Sequence, residues 1–270
     1  MEERERPIGV FDSGVGGIST LAAMVARLPK ERFLYFGDTR NAPYGTKTTE
    51  EVIACARQVV AELEKDRIKA LVIACNTATG AAAATLRAEL SLPVIAMEPA
   101  LKPAHEAARG GKVLVMATPL TLRQDKFLHL MELYGENAEP VACEGLMELV
   151  EEEDEAGSEA YLKRLFSRWD PEEVDAVVLG CTHYVFLRPM IRRMLPEHIL
   201  ITDGNEGTAR QLERVLRERG LLRERGKGET VLKTSGDPAT TLPVMERLLE
   251  RAQKTLGYAA FPAKPSFSGQ

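Results

Sequence analysis

Seven apolar runs punctuate the chain, at IGVF, FLYFG, ALVIA, PVIAM, KVLVMA, VDAVVLG and HILIT, with a weaker eighth at ETVLKT. They are rich in β-branched residues and are apolar continuously rather than at every second position, as strands buried on both faces require. Longer stretches with helical signals separate most of them. TEEVIACARQVVAELEKD, for instance, follows TKT, so a threonine can cap it and glutamates occupy its first turn. Strand and helix in alternation predict an α/β fold of doubly wound, mostly parallel sheets flanked by helices.

The strand ends also repeat. Asp12 and Thr118, Asp38 and Glu144, and Cys75 and Cys181 are each 106 positions apart, and Glu98 and Asp203 miss that offset by one. Two pseudo-symmetric lobes are therefore expected, with the active site in the cleft between them. The pattern breaks at EPALKP, where two prolines fall close together. This divides the chain into a first lobe of residues 1–98 plus 208–270, its C-terminal segment returning to it, and a second lobe of 99–207. The tail FPAKPSFSGQ is expected to be unstructured.

The 270 residues suffice for two real cores, with 44% hydrophobic and 28% charged residues. No run resembles a transmembrane span, and MEERERP leads straight into a strand without a cleavable signal, which predicts a soluble cytoplasmic protein with no membrane partner. Net charge is −5, and the basic residues of RRMLPEH or VLRERGLLRERGKGE (215–229) are interleaved with acids. Such stretches read as solvated helix faces, and no nucleic-acid partner is expected. The four cysteines form no C-x-x-C pair, and C-T-H at 181–183 lacks zinc-site spacing, so thiols in a reducing compartment and no metal are expected.

Ligands of open parallel sheets bind beyond the carboxyl ends of the strands. The polar residues gathered there are DSGVGG (12–17), NTATG (76–80), ATPLT (117–121) and CTHY (181–184), each opening a helix-like segment. Helix starts of that kind suit carboxylates. DSGVGG with Asp38 partly mimics a dinucleotide fingerprint, but Ser19 stands where the third glycine belongs and Asp12 would repel a pyrophosphate. A carboxyl at that place fits a cationic group, such as an amino acid's ammonium, or assistance to a proton transfer.

Two of the apolar runs end in a lone cysteine, ALVIACNTATG and AVVLGCTHYVF. Most such cysteines are small buried hydrophobes. These two lie at strand ends before a predicted helix start, a setting that favours thiolate, and His183 stands two residues past Cys181. One cysteine would suggest a nucleophile. Two related by pseudo-symmetry suit inversion of a stereocentre, in which one base takes a proton from one face of a carbon and its counterpart delivers another to the opposite face.

The motifs DSGVGG, GDTRNAPYGTK, ACNTAT and LGCTHY, in that order and spacing and followed by TSGDP at 234–238, resemble the glutamate racemase family over residues 8 to about 260. The resemblance implies cofactor-independent interconversion of L- and D-glutamate, supplying D-glutamate for bacterial peptidoglycan, and it allows a homodimer. It implies that Cys75 removes the α-proton from the D-enantiomer and Cys181 from the L-enantiomer, assisted by Asp12 and His183 respectively. It further implies that Ser13, Asn76, Thr77 and Thr182 bind the substrate's polar groups, that Tyr44 and Gly45 line its outer end, and that Thr118 and Thr121 form a further carboxylate-binding pair. Aspartate-specific relatives tend to carry glutamate where His183 stands, so CTHY favours the glutamate branch.

The chain departs from the family pattern at CEGLMELVEEE, with Glu144 and Glu148 where prolines are typical. Glu151 matches a family glutamate near the site, yet within its run of acids it reads first as part of a solvated helix face. Only six residues precede Pro7, so the extension through which some members sense a cell-wall precursor, and the activation it brings, are expected to be lacking. Other readings are an aspartate racemase, a non-catalytic amino-acid-binding protein, which would not need two thiols, and a pyridoxal-phosphate racemase, for which only Lys47 lies within any motif.

Overall fold

The apolar run IGVF becomes a strand with no exposed face: all five residues of the first strand, Ile8–Asp12, are buried. The computed structural model describes residues 2–255 and 263–265. In chain order the first segment contains β1 (Ile8–Asp12), α1 (Ile18–Arg27), β2 (Arg32–Gly37), α2 (Thr49–Glu64), β3 (Ala70–Ile73), α3 (Asn76–Glu89) and β4 (Val94–Ala96). The middle segment opens with α4 (Leu101–Ala107), β5 (Lys112–Ala117), α5 (Pro119–Arg123), α6 (Asp125–Tyr134) and β6 (Ala138–Ala142). It continues with α7 (Leu146–Glu151), α8 (Glu155–Phe166), β7 (Val174–Leu179), α9 (Arg188–Met194) and β8 (Leu200–Asp203). The last segment is α10 (Asn205–Glu218), β9 (Glu229–Thr234), α11 (Pro238–Thr255) and β10 (Ala263–Pro265).

The chain divides into two compact units, one of residues 1–97 with 205–270 and one of residues 98–204. In the first, a six-stranded sheet has the order β10-β9-β2-β1-β3-β4, and every pairing is parallel. Helix α1 packs against α10 and α11, and α2 against α3. Thr48 caps α2 in a reciprocal box with Glu51, as the TKT-TEE pattern leads one to expect. The second unit has a four-stranded parallel sheet of order β6-β5-β7-β8. Val113, Val115, Ala176 and Val178 point to one face of it and pack against Leu101 and Ala104 of α4 and Phe127 of α6. Burying each such aliphatic side chain contributes about 1.5–3 kcal/mol.

One expectation is corrected. The tail at 261–270 is not wholly without structure, because Ala263–Pro265 pair in parallel with β9; the remainder lies outside the described residues. Without that pairing β9 would leave a row of backbone groups open, and a proline is tolerated on such an edge. The prolines of EPALKP fall beside the division between the two units and are accommodated at the start of α4. Pro99 precedes α4 and Pro103 lies within its first turn, where an N–H would have no intrahelical partner.

Candidate active site

In the first unit β1 and β3 are neighbours, so the residues that follow them lie side by side. Asp12 ends β1 wholly buried, and its carboxylate accepts the Gly14 N–H at 2.8 Å. The turn into α1 passes so close that a Cβ on Gly17 would lie 2.6 Å from the Asp12 Cβ, which reserves that position for glycine. Cys75 follows β3 as the N-cap of α3. Its sulfur accepts the Ala78 N–H at 3.4 Å, and its thiol donates to the Ser13 hydroxyl at 3.5 Å. Cys75 is only 5% exposed, at a helix end whose N–H groups and dipole favour negative charge.

Asn76 and Thr77 are buried in the first turn of α3. The Asn76 amide donates to the Met97 sulfur at 3.3 Å, while its Oδ1 is buried without a hydrogen-bond partner. An unpaired buried acceptor costs about 1–3 kcal/mol, which a ligand donor can recover. Tyr44 and Gly45 follow β2 in a short 3₁₀ turn. The Tyr44 ring is buried and its hydroxyl donates to Asp38 at 2.7 Å. Burial, reinforced by the Asp38 carboxylate, pushes the phenol far above its ordinary range, so it remains a donor. Gly45, the next residue of that turn, is half-buried.

Asp38 also accepts from the Asn41 amide at 3.0 Å and from the Ser235 hydroxyl at 2.6 Å. Those bonds occupy the carboxylate that a dinucleotide site would offer to a ribose, which disfavours the nucleotide reading of DSGVGG.

In the second unit β5 and β7 are neighbours in the same way. Thr118 caps α5 by accepting the Thr121 N–H at 3.3 Å, and the two hydroxyls lie 2.9 Å apart. Cys181 lies beyond the end of β7 and is 8% exposed. CTHY opens a helix-like segment, but of 3₁₀ rather than α type. Residues Thr182–Leu187 form a 3₁₀ segment, Cys181 makes no side-chain cap, and α9 begins only at Arg188. Pro189 supplies the reason, since it has no N–H to give the Val185 carbonyl and its ring crowds that oxygen.

What Cys181 has instead is an imidazole. Its sulfur lies 3.7 Å from His183 Nδ1, and His183 Nε2 lies 2.9 Å from Glu151 Oε1. Burial of His183, which is 2% exposed, acts to lower its pKa, but the bonds to Cys181 and Glu151 outweigh it and hold the ring well above its ordinary value. Glu151 is thus no solvated member of an acidic face. It ends α7, half-buried behind Leu146 and Val150, while residues 152–155 are exposed. CEGLMELVEEE therefore forms a turn, with Gly145 at φ 77°, followed by that helix.

A further thiol, Cys143, follows β6 close by, where burial pushes it up to about 12. Its carbonyl accepts the hydroxyl of buried Tyr184 at 3.0 Å. All four cysteines carry thiols rather than disulfides. Among the described residues no cluster of three or more His, Cys, Asp or Glu could hold a metal ion, and no helix is long and apolar enough to cross a membrane. The candidate residues thus form two sets, Asp12, Ser13, Tyr44, Gly45, Cys75, Asn76 and Thr77 in one unit and Thr118, Thr121, Cys181, Thr182 and His183, with Glu151, in the other.

Residues 8–212 match the family model described as Asp/Glu/hydantoin racemase. The chain is 48% identical over 231 residues to a glutamate racemase of Clostridium botulinum (strain Kyoto / Type A2), covering 84% of this chain and 90% of that one. Its fold is similar to that of the glutamate racemase isoform RacE1 of Bacillus anthracis, at TM-score 0.81 and 32% identity over 98% of each chain. It is also similar to the Thermus thermophilus glutamate racemase solved with β-chloro-D-alanine, at TM-score 0.78 and 36% identity over 97% of each chain.

Proposed function

This chain belongs to the Asp/Glu/hydantoin racemase family, and on that premise we propose that it interconverts L- and D-glutamate without a cofactor, through Cys75 and Cys181 as paired bases. The observation that carries the reading is a correspondence: in each unit a cysteine follows the strand paired with the unit's first strand, among buried polar side chains. Relatives named glutamate racemase at 48%, 32% and 36% identity support glutamate as the substrate.

On this reading one sulfur is thiolate and the other thiol at the start of each turnover. The thiolate takes the α-proton, its electron pair passes into the substrate as a planar carbanionic intermediate, and the thiol returns a proton to the opposite face. Cys75 acts on the D-enantiomer, with Asp12 assisting, and Cys181 on the L-enantiomer, with His183 assisting. Asn76 Oδ1, buried without a partner, is an acceptor for the substrate ammonium. Ser13, Thr77, Thr118, Thr121 and Thr182 supply hydroxyls, and the Tyr44–Gly45 turn holds the distal carboxylate. The role extends to a cytoplasmic supply of D-glutamate for peptidoglycan and cell shape, with the protein acting as a homodimer.

The test is incubation with each glutamate enantiomer in D2O, without added cofactor, while α-proton exchange and optical rotation are followed. Both are expected to change with either enantiomer. A protein that leaves both unaltered is no glutamate racemase, and one of that kind that acts on aspartate instead belongs to the other substrate branch.

A further inference from the structure

The motif TSGDP, which the catalytic reading leaves without a task, makes specific contacts in the first unit. Strand β9 lies beside β2, and the Ser235 N–H donates to the Gly37 carbonyl at 3.1 Å, carrying the pairing one residue past the strand. The Ser235 hydroxyl then acts in both directions. It donates to Asp38 Oδ1 at 2.6 Å and accepts the Arg40 N–H at 3.1 Å. Beside it the hydroxyls of Thr234 and Thr39 lie 2.7 Å apart. Asp38, buried, passes the constraint on, since its Oδ2 accepts the Tyr44 hydroxyl at 2.7 Å and both its oxygens accept the Asn41 amide.

We propose that Ser235 is a positioning residue for substrate, acting through Asp38 and Tyr44 to fix the Gly45 backbone against which the distal carboxylate binds. This rests on the reading of the 44–45 turn given above. A hydroxyl that donates to one side of a turn and accepts from the other locks both at once, and charge-assisted bonds to a buried carboxylate are among the stronger ones. Ser235 touches no reacting atom. Its loss therefore removes binding that is equal in ground and transition states, which raises KM and leaves kcat in place.

The test compares Ser235→Ala, Ser235→Thr and Tyr44→Phe in the full-length protein. Ser235→Ala is expected to raise KM for both glutamate enantiomers about fivefold with kcat within about twofold, and Ser235→Thr, which keeps the hydroxyl, to restore KM. Because Ser235 and Tyr44 both act through Asp38, the double variant should raise KM by less than the product of the single effects. Hydrogen exchange provides a readout without substrate: amides of residues 38–46 should exchange faster in Ser235→Ala, while those of β1 and β3 stay protected. An unchanged KM in a variant whose parent racemises glutamate, or equal loss of kcat and kcat/KM, overturns the proposal. A parent without racemase activity overturns the functional reading instead, and unaltered exchange at 38–46 then overturns the clasp as well.

Discussion

The two cysteine-bearing strand ends occupy the same place in sheets of the same central order, β2-β1-β3-β4 and β6-β5-β7-β8, yet hold their sulfurs by different physics. Cys75 caps a 14-residue α-helix and takes a backbone N–H, with a serine hydroxyl alongside. Cys181 has no such cap and relies on a buried imidazole braced by Glu151. The ends of β1 and β5 differ in parallel, a buried carboxylate at Asp12 against the hydroxyl of Thr118. Equal topology therefore does not impose equal chemistry. One side holds its sulfur by the fixed dipole of its backbone, the other by a titratable pair.

The sharpest way to break the comparison is to remove each sulfur. Cys75→Ala and Cys181→Ala should each lower racemisation about 10³-fold or more, within the range for loss of a positioned acid or base. Full turnover in either variant, measured by circular dichroism of the product, would show that the two strand ends are not partners.

Next in size is the imidazole. His183→Asn should cost about 10²-fold in kcat, and Glu151→Gln less, about tenfold. The Glu151 effect carries a pH signature. An imidazole whose pKa rises on folding binds its proton more tightly in the native state. Its pairing with Glu151 thus adds stability below the unfolded value of about 6.5 and loses it as pH climbs through the raised native value. The Tm gap between wild type and Glu151→Gln should be widest near neutral and mildly acidic pH and close on the alkaline side. A gap that widens there would reverse the assignment.

Two smaller effects sharpen the contrast between the first strand ends. Gly17→Ala drives a methyl toward Asp12 and should cost about 2 kcal/mol of stability, as overpacking does, while slowing the reaction. Thr118→Ala removes a cap and should cost about 1 kcal/mol by chemical denaturation.

Much of this was legible in the chain. Central strands such as β1 and β7 are buried on both faces and so are apolar over most of their length, and the Thr48 cap announced α2. Strand β6 was absent from the apolar runs and showed itself only through the repeat that ends at Glu144, because at a sheet edge it buries only Val141 and contains Pro140. Glu151 was hidden by composition. It opens a run of five acids, and only its position directly after the stripe Leu146, Leu149 and Val150 sets it apart from its exposed neighbours. The 3₁₀ geometry after Cys181 had a signal in Pro189, eight residues on. The link from Ser235 to Asp38 spans 197 positions and left no local trace.

The connectivity of the two units sets an order on their assembly. Residues 98–204 are one uninterrupted stretch and contain everything their sheet requires. The sheet begun by β1 must wait for β9 and β10, contributed by the final quarter of the chain. During synthesis from the N-terminus the inner unit can therefore finish its core while the outer one still lacks an edge. Truncation near the C-terminus then strips strands from the sheet that carries Cys75 and leaves the unit bearing Cys181 with its own sheet complete.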